Sequence, residues 1–372
     1  MKFLIITHVK HKLNGSSISA YSPYVREMNI WLKYVDEVSI IAPKTIEKKG
    51  IIDLDYKHDN IHFDEIPSIE FTSFKKAFLS FIKIPLILIA IFKACKKADH
   101  IHLRCPGNIG LLGCLVQIFF PRKVKTAKYA GNWDPKAKQP VSYKFQKRIL
   151  SNTYLTKNMT VLVYGNWKNQ TQNIKSFFTA TFSDKEKEKP NIRNYTEILK
   201  FVFVGNLVAG KRPLLAIKIV EALHKKEKNV KFDVYGEGLL TEELKQYIIK
   251  NKLESVVRLL GNKDKHVIKS ALKEAHFLIL PSKSEGWPKA IAESMFFGAI
   301  PISTSISCVP FMLDYGNRGI LIEPKLHEAT NKISAYFSNE GKLKEMSKLA
   351  SNWSQNYTLN ILENEIYKLL NY

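Results

Sequence analysis

At 372 residues the chain is long enough for two domains, each with a core of its own, and 45% hydrophobic with 24% charged residues is ordinary for a soluble globular protein. The formal net charge of +23 favours anionic partners such as a nucleotide, a polyanionic glycan or a membrane surface, unless it reflects a general lysine bias. Nucleic acid is the weaker option, since no helix-turn-helix, zinc-finger or RNA-recognition signature is present. Cys95, Cys105, Cys114 and Cys308 show no C-x-x-C pair or metal spacing, as in a reduced cytosolic chain. The apolar run after Met1 and Lys2 is too short for a secretory signal and reads as a buried strand.

Lys2 to His8 forms that first predicted strand, and a polar loop, Lys10 to Ser17, follows it. Tyr24, Met28, Trp31, Leu32 and Val35 then recur at helical spacing, and Val38 to Ala42 reads as a second strand. This β-loop-α-β opening is Rossmann-like, but its loop is not G-x-G-x-x-G. Residues 44 to 70 read as polar and irregular, with Asp53-Leu54-Asp55 as a solvated loop whose D-x-D spacing alone is a weak metal signal. Phe78 to Phe92 is the most apolar stretch. Lys83 and Pro85 interrupt it, and the unbroken part is short of the ~20 residues of a spanning helix. The favoured reading is a buried helix. The sharper one is an interfacial element that touches an anionic membrane, bracketed by Lys75, Lys76, Lys93, Lys96 and Lys97.

Asp99 to Arg104 reads as a strand, with a glycine-containing turn and an apolar helix behind it. Lys125 to Tyr129 is a further strand, delivering Asn132, Trp133 and Asp134 to the carboxyl edge of a sheet, where α/β folds place ligands. Met159 to Tyr164 follows. The alternating charges from Asp184 to Lys189, closed by Pro190, read as a solvated linker between domains. Beyond it the α/β pattern restarts, with strands around Leu199 to Val204, Lys231 to Tyr235, Val256 to Leu260, His276 to Leu280, Ala299 to Ser303 and Gly319 to Ile322.

The most informative stretch runs from Ser284 to Met295, after the strand His276 to Leu280. It reads as a loop carrying Glu285 and a helix opened by Pro288 and carrying Glu293. A glycine turn feeding a helix N-terminus suits a phosphate, and fixed carboxylates accept paired hydrogen bonds from vicinal hydroxyls. A nucleotide sugar presents both groups. The plainer alternative is an ordinary α/β turn with two solvated glutamates.

Glu-Gly-aromatic-Pro with a second Glu eight positions after the first resembles the E-x7-E signature of retaining GT-B glycosyltransferases, in particular family four. The resemblance extends through V-G-N-L-V-x-x-K-R-P from Val204, Y-G-E-G from Tyr235 and L-L-G-N from Leu259. Asn352 to Thr358 resembles the family's closing helix. The resemblance implies an α/β, GT-B architecture, two Rossmann-like domains facing each other across a cleft. The expected parts are an acceptor-binding domain at 1–184, a linker at 185–198, a nucleotide-sugar domain at 199–351 and a helix at 352–372 crossing back. It implies transfer of a sugar from a nucleotide diphosphate sugar to a hydroxyl of a glycan or lipid-linked acceptor, with retention and with neither cofactor nor metal. Surface polysaccharide or lipopolysaccharide synthesis is the implied setting, in the cytoplasm or peripherally on the inner face of the cell membrane.

By the same resemblance, Lys211 contacts the donor pyrophosphate from a loop that includes Gly205 and Asn206, and Asn206 stands where relatives usually carry an arginine. Gly236, Gly238 and Arg258 match positions near the base. Glu293 would take the ribose hydroxyls, Glu285 the sugar hydroxyls, and the N–H groups of Gly286 and Trp287 the phosphates. In the first half, Gly15 would allow close approach of the donor, and His8, Lys10 and His11 would face the cleft. Relatives place a histidine where this chain has Asn132-Trp133-Asp134. Asp134 either orients an acceptor hydroxyl or caps the turn before Pro135. Two other functions stay open: a sugar-nucleotide epimerase on the same fold, and a non-catalytic basic module that binds membrane or polyanion.

Overall fold

In the computed structural model, which describes every residue except Ser16, Ile51, Glu227 and Tyr372, the chain forms two compact units. One comprises Met1–Phe178 with Leu362–Tyr372, and the other Thr179–Ile361.

The first unit is built on a seven-stranded parallel sheet. Its order is Ile174–Phe177, Met159–Tyr164, Val124–Tyr129, His100–Cys105, Lys2–Ile6, Glu37–Ala42 and Ile61–Glu65. Phe3, Leu4, Ile5 and Ile6 are all buried, as a parallel strand covered on both faces requires. Strand order reverses beside Lys2–Ile6, which makes the carboxyl end of that strand a topological switch point.

Residues 44 to 70 are more ordered than their composition suggests, for they supply the edge strand Ile61–Glu65 and the short strand Asp53–Asp55. The D-x-D residues are therefore not a solvated loop. Asp53–Asp55 pairs with Ser17–Tyr21, Asp53 lies 2.8 Å from Lys12 Nζ, and Asp55 lies 2.5 Å from Lys49 Nζ. These ion-pair partners come from neighbouring segments that the local sequence does not reveal.

A second correction concerns the apolar stretch. Phe74–Lys97 is one continuous helix of 24 residues, with Pro85 inside it, and by length and composition it could cross a membrane. It does not lie buried. Ile87, Ile91 and Cys95 pack into the core, whereas Phe78, Ile82, Leu86 and Ile89 are exposed. Lys83 does not break the helix; its Nζ donates to the Ser68 carbonyl at 3.4 Å.

His11, expected on the ligand side, is fully buried. Its Nε2 lies 2.8 Å from the Tyr56 hydroxyl, and its ring stacks on Tyr56. His100 is likewise buried, with Nε2 2.8 Å from Thr126 Oγ1. Burial without a counter-charge pushes both imidazoles down from 6.5 to about 4. The folded values lie below the unfolded one, so the unfolded chain binds more protons between about pH 6.5 and 4. Stability is fully present above that window and is lost as pH falls through it, by at most about 3 kcal/mol per histidine. Urea unfolding of wild type and His11→Gln at pH 7.5 and 4.5 should show the variant losing less stability on acidification.

The second unit is a six-stranded parallel sheet in the order Val257–Gly261, Val230–Tyr235, Leu199–Val204, Phe277–Leu280, Ile300–Thr304 and Ile320–Ile322. The expected solvated linker at 185–198 is instead partly built into this unit, and the unit boundary falls after Phe178. Within that stretch Arg193 is buried, and its guanidinium donates to the carbonyls of Ala275 at 2.6 Å, Lys273 at 3.0 Å and Phe297 at 2.8 Å. These carbonyls close the helices Lys265–Glu274 and Lys289–Phe296, whose last turns have no partners of their own. A planar fork of donors can serve several of them at once. The last helix, Leu359–Leu370, belongs to the first unit from Leu362 onward. There Glu363 accepts from Lys33 and Tyr34, each at 2.8 Å, and Glu365 lies 2.7 Å from Lys175 Nζ. Arg193→Met should destabilise the second unit by about 3 kcal/mol, because it strands buried carbonyls, and urea denaturation reads this as a lowered midpoint.

Candidate functional site

In a parallel sheet the loops at the carboxyl ends of the strands are free to build a site. Three such loops come together in the second unit, after Leu199–Val204, after Val230–Tyr235 and after Phe277–Leu280. The first two cross at very close range. A Cβ on Gly236 would stand 2.0 Å from the Gly205 carbonyl oxygen, and one on Gly238 would stand 2.5 Å from the Leu207 carbonyl oxygen. Gly236 also has φ +134, a region open to glycine. The crossing is sealed by hydrogen bonds from Gly205 N to the Tyr235 carbonyl and from Leu207 N to the Glu237 carbonyl, both 3.0 Å. Beside it a cavity of about 820 Å³ opens, lined by Leu207, Gly236, Gly238, Leu259 and Gly261 among others.

The first loop runs on to Lys211, whose Nζ lies 2.5 Å from Glu285 Oε1 in the third loop. The Glu285 side chain is only 8% exposed, so Lys211 supplies most of its counter-charge. Both ends of this pair are held in place. Lys283 N donates to the Gly210 carbonyl at 2.8 Å, Glu285 N to Ser307 Oγ at 3.2 Å, and Thr304 Oγ1 to the Ser282 carbonyl at 2.6 Å. Arg212 does not reach toward a ligand. In left-handed conformation (φ 52) it precedes the helix Pro213–His224, and its guanidinium donates to the carbonyls of Pro281 and Ser282, each at 3.3 Å. It ties the first loop to the third.

Pro288 occupies the N-cap of the helix Lys289–Phe296 and not, as expected, its first helical position, which Lys289 takes. Gly286 lies in the turn just before, and its carbonyl accepts from Cys308 Sγ at 3.0 Å. The Trp287 indole is buried in an aromatic stack, with ring centroids 6.2 Å from Trp353 and 5.6 Å from Tyr357. Glu293 sits on the helix and accepts from Thr181 Oγ1 at 2.6 Å. Asn206 is exposed on the first loop.

Arg258 is not part of this cluster, and Asp134 and Gly15 belong to the first unit. Arg258 lies in mid-strand and forms a two-pronged pair with Asp233 on the adjacent strand, at 2.7 and 2.8 Å. That carboxylate raises the pKa of Arg258 and engages the guanidinium, which accounts for the residue without a base. Asp134, in the first unit, accepts from Lys136 N at 2.8 Å, while its own N–H donates to Asn132 Oδ1 at 2.9 Å. That is the turn-capping arrangement. Gly15 has φ +57, in the turn between Lys12–Asn14 and Ser17–Tyr21, and a Cβ there would meet no atom within 4 Å; the turn alone explains it. Among the described residues no group of three or more His, Cys, Asp or Glu side chains is gathered as a metal site.

Sequence reasoning did not find Arg212, Ser307 or Thr181 as supports. Arg212 carried a signal in its adjacency to Lys211. Ser307 and Thr181 carried none, because their distance in sequence from Glu285 and Glu293 is bridged only by the fold. Gly236→Ala should cost about 3 kcal/mol or more and open the loop crossing, while Gly210→Ala, with nothing within 4 Å, should stay within about 0.5 kcal/mol. Thermal unfolding of the two variants side by side checks this.

Residues 184–356 match the family model described as glycosyl transferases group 1. An uncharacterized glycosyltransferase of Methanocaldococcus jannaschii is 26% identical over 158 residues, 42% of this chain and 43% of that one. The amylovoran biosynthesis glycosyltransferase AmsK of Erwinia amylovora is 30% identical over 145 residues, 37% and 36% of the two chains. A Campylobacter jejuni N-acetylgalactosaminyltransferase named for an undecaprenol-diphosphate-linked glycan is 27% identical over 172 residues, 45% and 47%. The chain thus spans less than half the length of these curated relatives. Among solved structures, Anabaena HepE in complex with UDP and glucose superposes with TM-score 0.68 at 14% identity, covering 100% of this chain and 99% of that one. Sucrose-phosphate synthase of Thermosynechococcus elongatus gives 0.66 at 14%, covering 100% and 98%. At such identities the likeness is one of fold, and the fold is GT-B.

Proposed function

We propose that this chain, whose residues 184–356 belong to the group 1 glycosyl transferases, moves a sugar from a nucleotide diphosphate sugar to an acceptor hydroxyl with retention of anomeric configuration. The observation that carries this reading is the Lys211–Glu285 pair at 2.5 Å, set at the carboxyl edge of the second sheet beside a helix N-terminus and a large cavity.

The roles follow from where charge develops. Cleavage of the bond between the anomeric carbon and the phosphate oxygen leaves negative charge on the diphosphate and positive character on the sugar ring. Lys211 exchanges Glu285 for the diphosphate and stabilises the leaving group, and the N-terminus of Lys289–Phe296 adds its N–H dipoles. Glu285, freed from Lys211, accepts from the sugar hydroxyls. Glu293 exchanges its Thr181 contact for the ribose hydroxyls. The base occupies the cavity lined by Leu207, Gly236 and Leu259. With these groups meeting the charge, the reaction calls for no divalent metal. The acceptor oxygen attacks from the face the phosphate leaves, and its proton passes to the departing phosphate oxygen. The two glutamates therefore hold the donor and are not an acid/base pair of the glycosidase kind.

The printed names of the relatives concern amylovoran and an undecaprenol-linked glycan. On that basis we take the acceptor here to be a glycan or a lipid-linked glycan in surface polysaccharide or lipopolysaccharide synthesis. The free cysteines fit a reduced, cytoplasmic setting. A panel of UDP-, GDP- and ADP-sugars tests the reading through slow donor hydrolysis and donor binding. Lys211→Ala should lower turnover on the accepted donor by about 10²–10³-fold, and Glu293→Ala should chiefly raise its KM, by about 10-fold. If wild type neither binds nor turns over any donor, the transferase reading fails. An epimerised nucleotide sugar formed without acceptor would replace it with the epimerase.

A further inference from the structure

A helix on the surface of a folded unit ordinarily buries its apolar stripe and shows water a polar one. Phe74–Lys97 does not. Ser80, Ile87, Ile91 and Cys95 mark its buried side, and Phe78, Ile82, Leu86 and Ile89 follow one another at steps of three and four residues on the side away from the core, all exposed. The apolar surface continues onto the next helical segment. There Leu88, Ile89, Phe92, Leu115, Val116 and Phe119 line a groove of about 590 Å³, with Phe119 72% exposed. Cations stand around this patch: Lys75 and Lys76 at the start of the helix, Lys93, Lys96 and Lys97 at its end, and Arg122 and Lys123 just beyond Phe119. No Asp or Glu occurs between Glu70 and Asp99, and of the helix lysines Lys76 is paired, with Glu70 at 2.7 Å. Glu37, Asp64 and Glu65 share a cavity with Leu86, Ile89, Lys93 and Lys97, but each has another partner, Lys2 at 3.1 Å, His62 at 3.5 Å and Lys44 at 4.0 Å respectively.

We propose that this face rests on an anionic lipid bilayer. The helix lies in the plane of the interface, with Phe78, Ile82, Leu86 and Ile89 among the upper acyl carbons and the terminal lysines on lipid phosphates. About 25 Å separates Lys76 from Lys93 along the axis, so the two lysine clusters reach different headgroups. A spanning orientation is ruled out by the opposite side of the same helix, because Ile87, Ile91 and Cys95 are part of the core beneath the sheet. A second copy is the poorer occupant. A two-fold contact through this face would bring lysine clusters against lysine clusters, whereas an anionic leaflet neutralises them. The surface stands in the first unit and does not rest on the donor chemistry of the second.

The test is co-sedimentation of the full chain with vesicles of phosphatidylcholine alone and of phosphatidylcholine with about one third phosphatidylglycerol. Wild type should bind the anionic vesicles at least about 10-fold more tightly than the neutral ones, and high salt should weaken that binding. Ile82→Glu with Ile89→Glu, both at exposed positions, should lower anionic binding by at least about 10-fold. Lys93→Gln with Lys96→Gln should narrow the difference between the two vesicle types. Near-UV circular dichroism shows that the variants are folded. Wild type that ignores anionic vesicles, or a double glutamate variant that binds them equally well, overturns the proposal. So does a wild-type dimer that the glutamate pair disperses while vesicle binding stays absent.

Discussion

The close crossing of two backbones fixes much of the second unit's site. Gly236 lies against the Gly205 carbonyl because Gly236 carries no side chain there, and the loop from Gly205 onward can therefore turn across the ends of its neighbours. That path delivers Lys211 to Glu285. Without the crossing, Lys211 would be one more surface lysine in a chain with 57 lysines and arginines. The glycines of Y-G-E-G thus have a mechanical explanation before any donor is considered. Tightness of this kind is also why the cavity beside Leu207 has a backbone wall.

The same logic separates the residues that act from those that hold. Arg212 is the nearest cation to Lys211 in sequence, yet its guanidinium is taken up by the Pro281 and Ser282 carbonyls. It sets the distance between two loops and is not available as a second phosphate ligand. Asn206, where the sequence resemblance leads one to expect an arginine, is neutral. On the proposed reading, the positive charge facing a leaving diphosphate would be concentrated in Lys211 and in the helix terminus behind Gly286, which would make this site more dependent on one ammonium than a two-cation site.

Much of the second unit was legible in the sequence because its strands are short apolar runs closed by glycine turns, and because E-x7-E is a local pattern. Glu285 and Lys211 could be named from motifs. Their pairing could not, since 74 positions separate them and only the register of Leu199–Val204 against Phe277–Leu280 brings them together. Asp134 stayed ambiguous in the sequence, and the structure shows its carboxylate on the Lys136 N–H. Arg193 was missed for a different reason. It lies in the stretch expected as a linker, just past the alternating charges of Asp184 to Lys189, and the carbonyls it serves belong to helix ends some 80 residues away. The long helix was misread as buried because hydrophobicity in sequence measures composition and says nothing of which face meets the core.

The charge of the chain has a similar lesson. A net +23 is a bulk property, the excess of 57 lysines and arginines over 34 aspartates and glutamates, and ion pairs such as Lys175 with Glu365 or Lys273 with Glu188 cancel within themselves and are worth little individually. Charge becomes informative where it is both locally uncompensated and coupled to another kind of surface. Phe74–Lys97 itself contains no acidic residue, the carboxylates that share a cavity with it (Glu37, Asp64 and Glu65) have cations or an imidazole of their own in Lys2, His62 and Lys44, and its lysines flank exposed apolar side chains. Water satisfies the first feature but not the second, and a polyanion in water satisfies the second no better. An anionic bilayer meets both at once, so the combination discriminates between partners that net charge alone leaves equal.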